Sequence, residues 1–322
     1  IDVTGDTSLI LGDSYTLKVP GGIIVNDGAS LTVYAQSDEG DMGTLEAGGM
    51  SAGITCNNGT LVINGGNIVA TSYGNVSIGG SGGTITIYGG TVNQKTPDSE
   101  KKGIGGTGFD ITINGGTVEA DSSSIDDLAG ISGDSITITG GTVTATGGKN
   151  AAGIGGGNGG AGGPITISGG KVTATGGENA AGIGGGNGGA GGNISITGGD
   201  VTAQGNPATS SSISNNYNVG GAGIGGGLNG DGGIIIIDGD TTIVNATGGI
   251  NSAGIGGGIA GNGGSITIND GTVEATGGIP KGQGGGAGIG GGRHDNSSGK
   301  GGSAGVCTRV GVLVRVCWRE GG

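Results

Sequence analysis

Residues 151–192 read AAGIGGGNGGAGGPITISGGKVTATGGENAAGIGGGNGGAGG, and the thirteen residues AAGIGGGNGGAGG occur twice in them, beginning at Ala151 and at Ala180. The stretch joins three kinds of segment: an Ile-x-Ile triplet, a Val-x-Ala triplet and a Gly-Ile-Gly run, divided by glycine pairs. In a strand successive side chains point to opposite faces, so Ile165 and Ile167 face one way and Thr166 the other. Val172 and Ala174 face in by the same rule, with Thr173 and Thr175 facing out. The Gly-Gly pairs admit the positive φ of a tight corner.

The same unit recurs along the chain. It appears as LVINGGNIVAT (61–71), ITIYGGTVNQK (85–95), ITINGGTVEAD (111–121), ITITGGTVTAT (136–146), ITISGGKVTAT (165–175), ISITGGDVTAQ (194–204) and ITINDGTVEAT (266–276). A looser copy, IIIDGDTTIVNAT, covers 235–247. The Gly-Ile element follows at Ile54, Ile104, Ile131, Ile154, Ile183, Ile224, Ile255 and Ile289, with Ile78 at the matching place. One unit has too little apolar surface to bury alone, whereas stacking unit on unit closes a narrow core and pairs every backbone group with the coil above and below. The pattern predicts an all-β fold: a single-stranded parallel β-helix, or solenoid, with three short strands per coil and about 25–31 residues per coil. The usual crossover rule makes it right-handed. About ten coils at roughly 4.8 Å each give a rod about 50 Å long. A helical reading fails because the apolar period is two and each Gly would cost about 1 kcal/mol in a helix.

Three regions are expected: N-terminal coils or a cap at 1–56, the repetitive β-helix at 57–302, and an anomalous tail at 303–322. The tail SAGVCTRVGVLVRVCWREGG holds three of the four Arg, the one Trp and two of the three Cys. It admits two readings. VGVLVRV can cover the open edge of the last coil, which would otherwise recruit other chains. Alternatively the tail is translated out of frame, since shifted glycine codons yield mainly Arg, Trp, Val, Glu and Gly.

Composition narrows the function classes. The chain has 92 Gly in 322 residues and a net charge of −13, so no basic face is expected to neutralise the phosphates of a nucleic acid. No apolar run reaches the roughly 20 residues of a membrane span. Cys56, Cys307 and Cys317 are too few and too scattered for a disulfide framework or metal cluster. Low charge and abundant Ser, Thr, Asn and Gly point to an extracellular or cell-surface protein. The start at Ile1, without Met, reads as a trimmed form.

Chemistry-bearing motifs are sparse. Asp126-Asp127 is a carboxylate pair, but no second acid motif with His or Lys support accompanies it, as glycoside hydrolysis would require. The one histidine, His294, sits in the polar run GGRHDNSSGK. Matches to GxGxxG follow from glycine content alone. The expectation is a protein that is not an enzyme. SDEGDMG brings Asp38, Glu39 and Asp41 close together as a candidate calcium site, because hard cations take carboxylate oxygens. Insertions fall at one corner, between the Val-x-Ala and Gly-Ile segments, and so line one edge of the rod. The longest, GNPATSSSISNNYNVGG (205–221), makes Tyr217, Asn215, Asn216 and Asn218 the candidate ligand-binding residues. Asn158, Asn187, Asn229 and Asn262 predict a structural ladder along the glycine-rich wall. The outward Thr residues form arrays like those of ice-binding faces, but Lys171, Asp200, Gln204 and Glu274 interrupt them. Tyr73, Tyr88 and Tyr217 are too few for an obvious sugar-stacking platform.

The combination of ITITGGTVTATGG (136–148) with AGIGGG (152–157) resembles the Gly-rich repeats of secreted and wall-anchored surface proteins of clostridia and related gut bacteria. It is also similar to the carbohydrate-binding β-helix family whose coils are like those of pectate lyases. The resemblance covers about residues 50–300. It implies a secreted right-handed β-helix with polysaccharide or adhesive contacts and calcium as a candidate ion, a host or cell-surface glycan being one candidate partner, and it transfers no functional residue because the shared positions are structural. The function expected is adhesion or polysaccharide binding along the variable-loop edge. The alternative is a structural protein that self-associates end to end into a filament.

Overall fold

A computed structural model describes residues 1–37, 40–74, 76–93, 103–205, 220–278 and 285–293, and the backbone of 306–309 and 313–317. The described residues are strands and turns with no helix. None of it, accordingly, is a helix long and apolar enough to cross a membrane. All strand pairings are parallel, and each strand bonds to its counterpart in the coils before and after it. The result is a β-solenoid with three walls.

The Ile-x-Ile wall starts at Asp6–Leu11 and runs through strands such as Phe109–Ile113, Ser135–Ile138 and Ser265–Ile268. The Val-x-Ala wall starts at Thr16–Val19 and includes Thr117–Asp121, Thr142–Thr146 and Thr272–Gly278. The third wall, Ile-Gly, is cut in the glycine-rich coils to two-residue strands such as Ile154–Gly155 and Ile183–Gly184. The expected three separate strands merge in four coils: Ile54–Ile63 and Ile78–Ile87 each join the Ile-Gly wall to the Ile-x-Ile wall, and two later strands join the Ile-x-Ile and Val-x-Ala walls. Pro164–Thr175 and Asn193–Gln204 each run as one strand around the corner, with the register shifting between Ile167 and Lys171.

Like stacks on like in the interior. Ile104, Ile131, Ile154, Ile183, Ile224 and Ile255 follow one another in register and are fully buried. Val143, Val172, Val201 and Val244 do the same, with Ala145, Ala174, Ala203 and Ala246 beside them. Each buried Ile or Val contributes about 1.5–3 kcal/mol relative to exposure, which is what the short coils have to set against chain entropy. The one Phe in the chain, Phe109, is wholly buried as well. Cys56 sits in register between Val25 and Gly80 and behaves as a small core hydrophobe. Burial pushes its thiol pKa up from an ordinary 9.0 to about 12.

The glycine columns have a steric origin. Gly184 has φ +131, and a Cβ built on it would overlap the carbonyl oxygen of Gly225 in the next coil. The Ile-Gly wall can stack at strand spacing only because its neighbours are bare there.

Both ends join the ladders. Asp2–Val3 pairs with Ile23–Val25, which pairs with the strand starting at Ile54. Val306–Arg309 pairs with Ser265–Ile268, and Leu313–Cys317 with Thr272–Gly278. Cys307, Val314 and Val316 thereby take the register positions of Ile266, Val273 and Ala275.

Candidate functional site

The expected site residues fall unevenly on the structure. Asn215, Asn216, Tyr217 and Asn218, and also Asp38, Glu39 and His294, lie outside the described residues. Asp41 is exposed at a turn, where its backbone carbonyl accepts the Ser14 N–H at 2.7 Å. Among the described residues no three His, Cys, Asp or Glu side chains gather in a group that could hold a metal.

The stack on either side of the long insertion is undisturbed. Gln204, just before it, stays in register with Thr175 and Thr247, and Ile224, just after it, with Ile183 and Ile255. At its root the Gly205 N–H donates to the Thr247 carbonyl and the Gly221 carbonyl accepts from Gly249. In the preceding coil Asn179 Oδ1 is buried at this corner with no hydrogen-bond partner among the described residues.

Asp126 and Asp127 share that corner and serve the stack. The Asp126 carbonyl accepts the Asn150 N–H at 2.6 Å, and Asp127 Oδ1 accepts Asn150 Nδ2 at 2.9 Å. Asn150 Oδ1 in turn accepts Asn179 Nδ2 at 2.8 Å. Lys149 and Glu178, beside them, form a half-exposed ion pair at 3.6 Å. This polar column, Asp127–Asn150–Asn179, was not expected. Its signal was the repeated position four residues before Ile131, Ile154 and Ile183.

The expected Asn ladder is shorter than proposed. Asn187 Nδ2 donates to Asn158 Oδ1 at 3.3 Å, but Asn229 and Asn262 do not continue it. Counting from the registered Ile154, Ile183, Ile224 and Ile255, the place of Asn158 and Asn187 passes to Leu228 and then Ile259. Asn229 instead takes the left-handed turn position of Gly159 and Gly188, at φ +62. Asn262 stands one coil beyond Asp231 and donates both its backbone and side-chain N–H groups to Asp231 Oδ1. One residue of drift in a polar turn moves a side chain to a different column.

The outward faces of the two longer walls carry columns of hydroxyl groups. Thr86, Thr112, Thr137 and Thr166 stand in register on the Ile-x-Ile wall, followed by Ser195. On the Val-x-Ala wall Thr144, Thr173 and Thr202 align. Lys171 and Asp200 break the neighbouring column after Thr142. Further along the rod, Ile234, Ile236 and Ile243 replace polar groups on both faces and are exposed by 39–50%.

A further column lies at the tight corner that closes the Ile-x-Ile wall. Ile10 registers with Tyr34. The Asn64 N–H donates to the Val33 carbonyl, that of Tyr88 to Ile63, that of Asn114 to Ile87 and that of Thr139 to Ile113, at 2.7–2.8 Å. These bonds set Ile10, Tyr34, Asn64, Tyr88, Asn114 and Thr139 one above another. That Tyr34 and Tyr88 share one column was not expected from the sequence. The clue was that each occupies the residue directly after its apolar-x-apolar triplet, LTV or ITI.

Four segments of the chain, 111–135, 136–158, 165–187 and 266–293, match the family model of the β-helix repeat. Together with the stacked parallel strands, these matches support a β-helix repeat protein. No curated protein and no solved structure matches the chain.

Proposed function

We propose that this chain is a non-enzymatic protein of the extracellular space or cell surface that binds polysaccharide or host glycan through the outside of its rod. The observation that carries this reading is the register of its outward groups. Thr86, Thr112, Thr137 and Thr166 repeat at the coil spacing, roughly 4.8 Å, on the outward face of the Ile-x-Ile wall. A surface that repeats along one axis suits a ligand that repeats along one axis, and many weak hydroxyl contacts then add up along it. The insertion 206–219 adds a second element on another corner, rooted in an undisturbed stack, and calcium is a candidate bridging ion for either surface.

The test is affinity gel electrophoresis of the full chain against neutral and anionic polysaccharides, with and without calcium, beside electron microscopy of the same sample. Retardation by at least one polysaccharide, with dispersed rods in the micrographs, is the expected result. Absence of retardation across the panel, with rods joined end to end into fibres, would replace this reading with that of a structural filament.

A further inference from the structure

We propose that the column Tyr34–Asn64–Tyr88–Asn114 is the binding track for an extended, uncharged β-1,4-linked polysaccharide lying parallel to the rod axis. The inference rests on the polysaccharide-binding reading above and gives it a place and a ligand class.

Four features of the column support it. The first is the exposure of two large rings. Tyr34 is 41% and Tyr88 56% exposed, at a position that Asn64, Asn114 and Thr139 hold in neighbouring coils. A tyrosine ring has an apolar face for a sugar's C–H face and a hydroxyl for its edge. The second is spacing. Tyr34 and Tyr88 are two coils apart, so about 10 Å separates them along the axis. An extended β-1,4-linked chain turns the same face outward on every second sugar, at close to that interval. The third is alternation. Asn64 stands between the rings and Asn114 follows them, so amides meet the sugars that the rings do not. The Thr139 hydroxyl donates to Asn114 Oδ1 at 2.7 Å, which fixes the orientation of that amide. Thr32, Thr86 and Thr112 add hydroxyls on the adjoining outward positions of the wall, two residues back along each strand.

The fourth feature is charge. The four residues are Tyr and Asn, with no carboxylate or amine among them, and the chain carries a net −13. Asp13, which follows Ile10 at the same corner, accepts a hydrogen bond from the Ser37 hydroxyl at 2.8 Å and keeps a carboxylate at the end of the track. A polyuronate would be repelled there, whereas a neutral glycan is not.

The experiment uses the full chain, with affinity gel electrophoresis in hydroxyethylcellulose and glucomannan, polygalacturonate as the anionic comparison, and calorimetry with cellohexaose. Tyr34→Ala and Tyr88→Ala are each expected to weaken binding to the neutral chains about tenfold, with unchanged thermal midpoints. Tyr88→Phe keeps the ring and should stay within about twofold. Tyr73→Ala, at an exposed residue off the column, should bind as the parent does. Undiminished binding by both alanine variants would overturn the track while leaving polysaccharide binding itself standing. Preference of the parent chain for polygalacturonate would overturn the ligand class. If no polysaccharide binds at all, the function proposed above falls and the track falls with it.

Discussion

Gly184 and Gly225 stand in register on successive coils, and the carbonyl oxygen of Gly225 occupies the space a Cβ on Gly184 would need. The obstruction is backbone, which has nowhere to go because Gly225 meets Gly256 in the same way and Gly256 meets Gly290. Gly184→Ala is therefore expected to lower stability by roughly 3 kcal/mol or more, combining strain at φ +131 with a displaced ladder. Equilibrium urea unfolding followed by circular dichroism reads this directly. An unchanged midpoint would mean the wall is looser than its geometry implies.

Gly188 supplies the contrast within the same coil. It has φ +77 with open space around its Cα, and its counterpart two coils further along is Ala260 at φ +59, with Asn229 at φ +62 between them. Asn tolerates the left-handed region, so Gly188→Asn should change stability by no more than about 0.5 kcal/mol. The same urea experiment separates the two glycines.

Asn150 both donates to Asp127 and accepts from Asn179, whereas Asn187 makes one longer bond to Asn158. Replacing Asn150 by Ala removes two bonds and leaves the partly buried Asn179 amide unsatisfied. A cost of about 1–3 kcal/mol is expected, against about 0.5 kcal/mol for Asn187→Ala. Thermal unfolding of the two variants side by side checks the ranking, and equal losses would place the stabilisation elsewhere in the turn.

Phe109 is the largest wholly buried side chain, and its loss leaves a cavity that the flanking backbone cannot close. Phe109→Ala should cost about 3–5 kcal/mol. In a solenoid stability is summed from neighbouring coils, so hydrogen exchange should rise most in the coils that adjoin residue 109. A uniform rise along the rod would instead indicate a single cooperative unit.

Cys56 gives the fold a defined pH dependence. Its folded thiol pKa of about 12 lies above the ordinary 9.0, so between these values the native state holds a proton that the unfolded chain has lost. Its contribution is intact below pH 9 and is lost as pH rises towards 12, to an extent on the order of a few kcal/mol. Cys56→Ala should flatten that alkaline limb, as measured by urea midpoints from pH 8 to 11. Peptide-resolved thiol labelling at neutral pH should find Cys56 protected until the chain unfolds.

The architecture was legible in the residue pattern alone. Isoleucine and valine at period two, glycine pairs at corners and recurrence every 23 to 41 residues between registered isoleucines such as Ile131, Ile154, Ile183 and Ile224 leave one way to bury apolar surface, which is to stack coils. A slip of one residue within a strand would turn every Ile outward, so the strand registers were legible too. The outer surface was not legible to the same degree. In the polar turns no buried face penalises a shift, and so Leu228 and Ile259 could displace Asn229 and Asn262 from the column that Asn158 and Asn187 begin. The same holds for Tyr34 and Tyr88, which lie 54 residues apart in the chain and share a column only because the coil between them bonds to both, Asn64 N–H to the Val33 carbonyl and Tyr88 N–H to the Ile63 carbonyl. Burial chooses which residues go inside from local pattern alone. Which residues share a line on the outside is decided by the tertiary stacking of coils of unequal length.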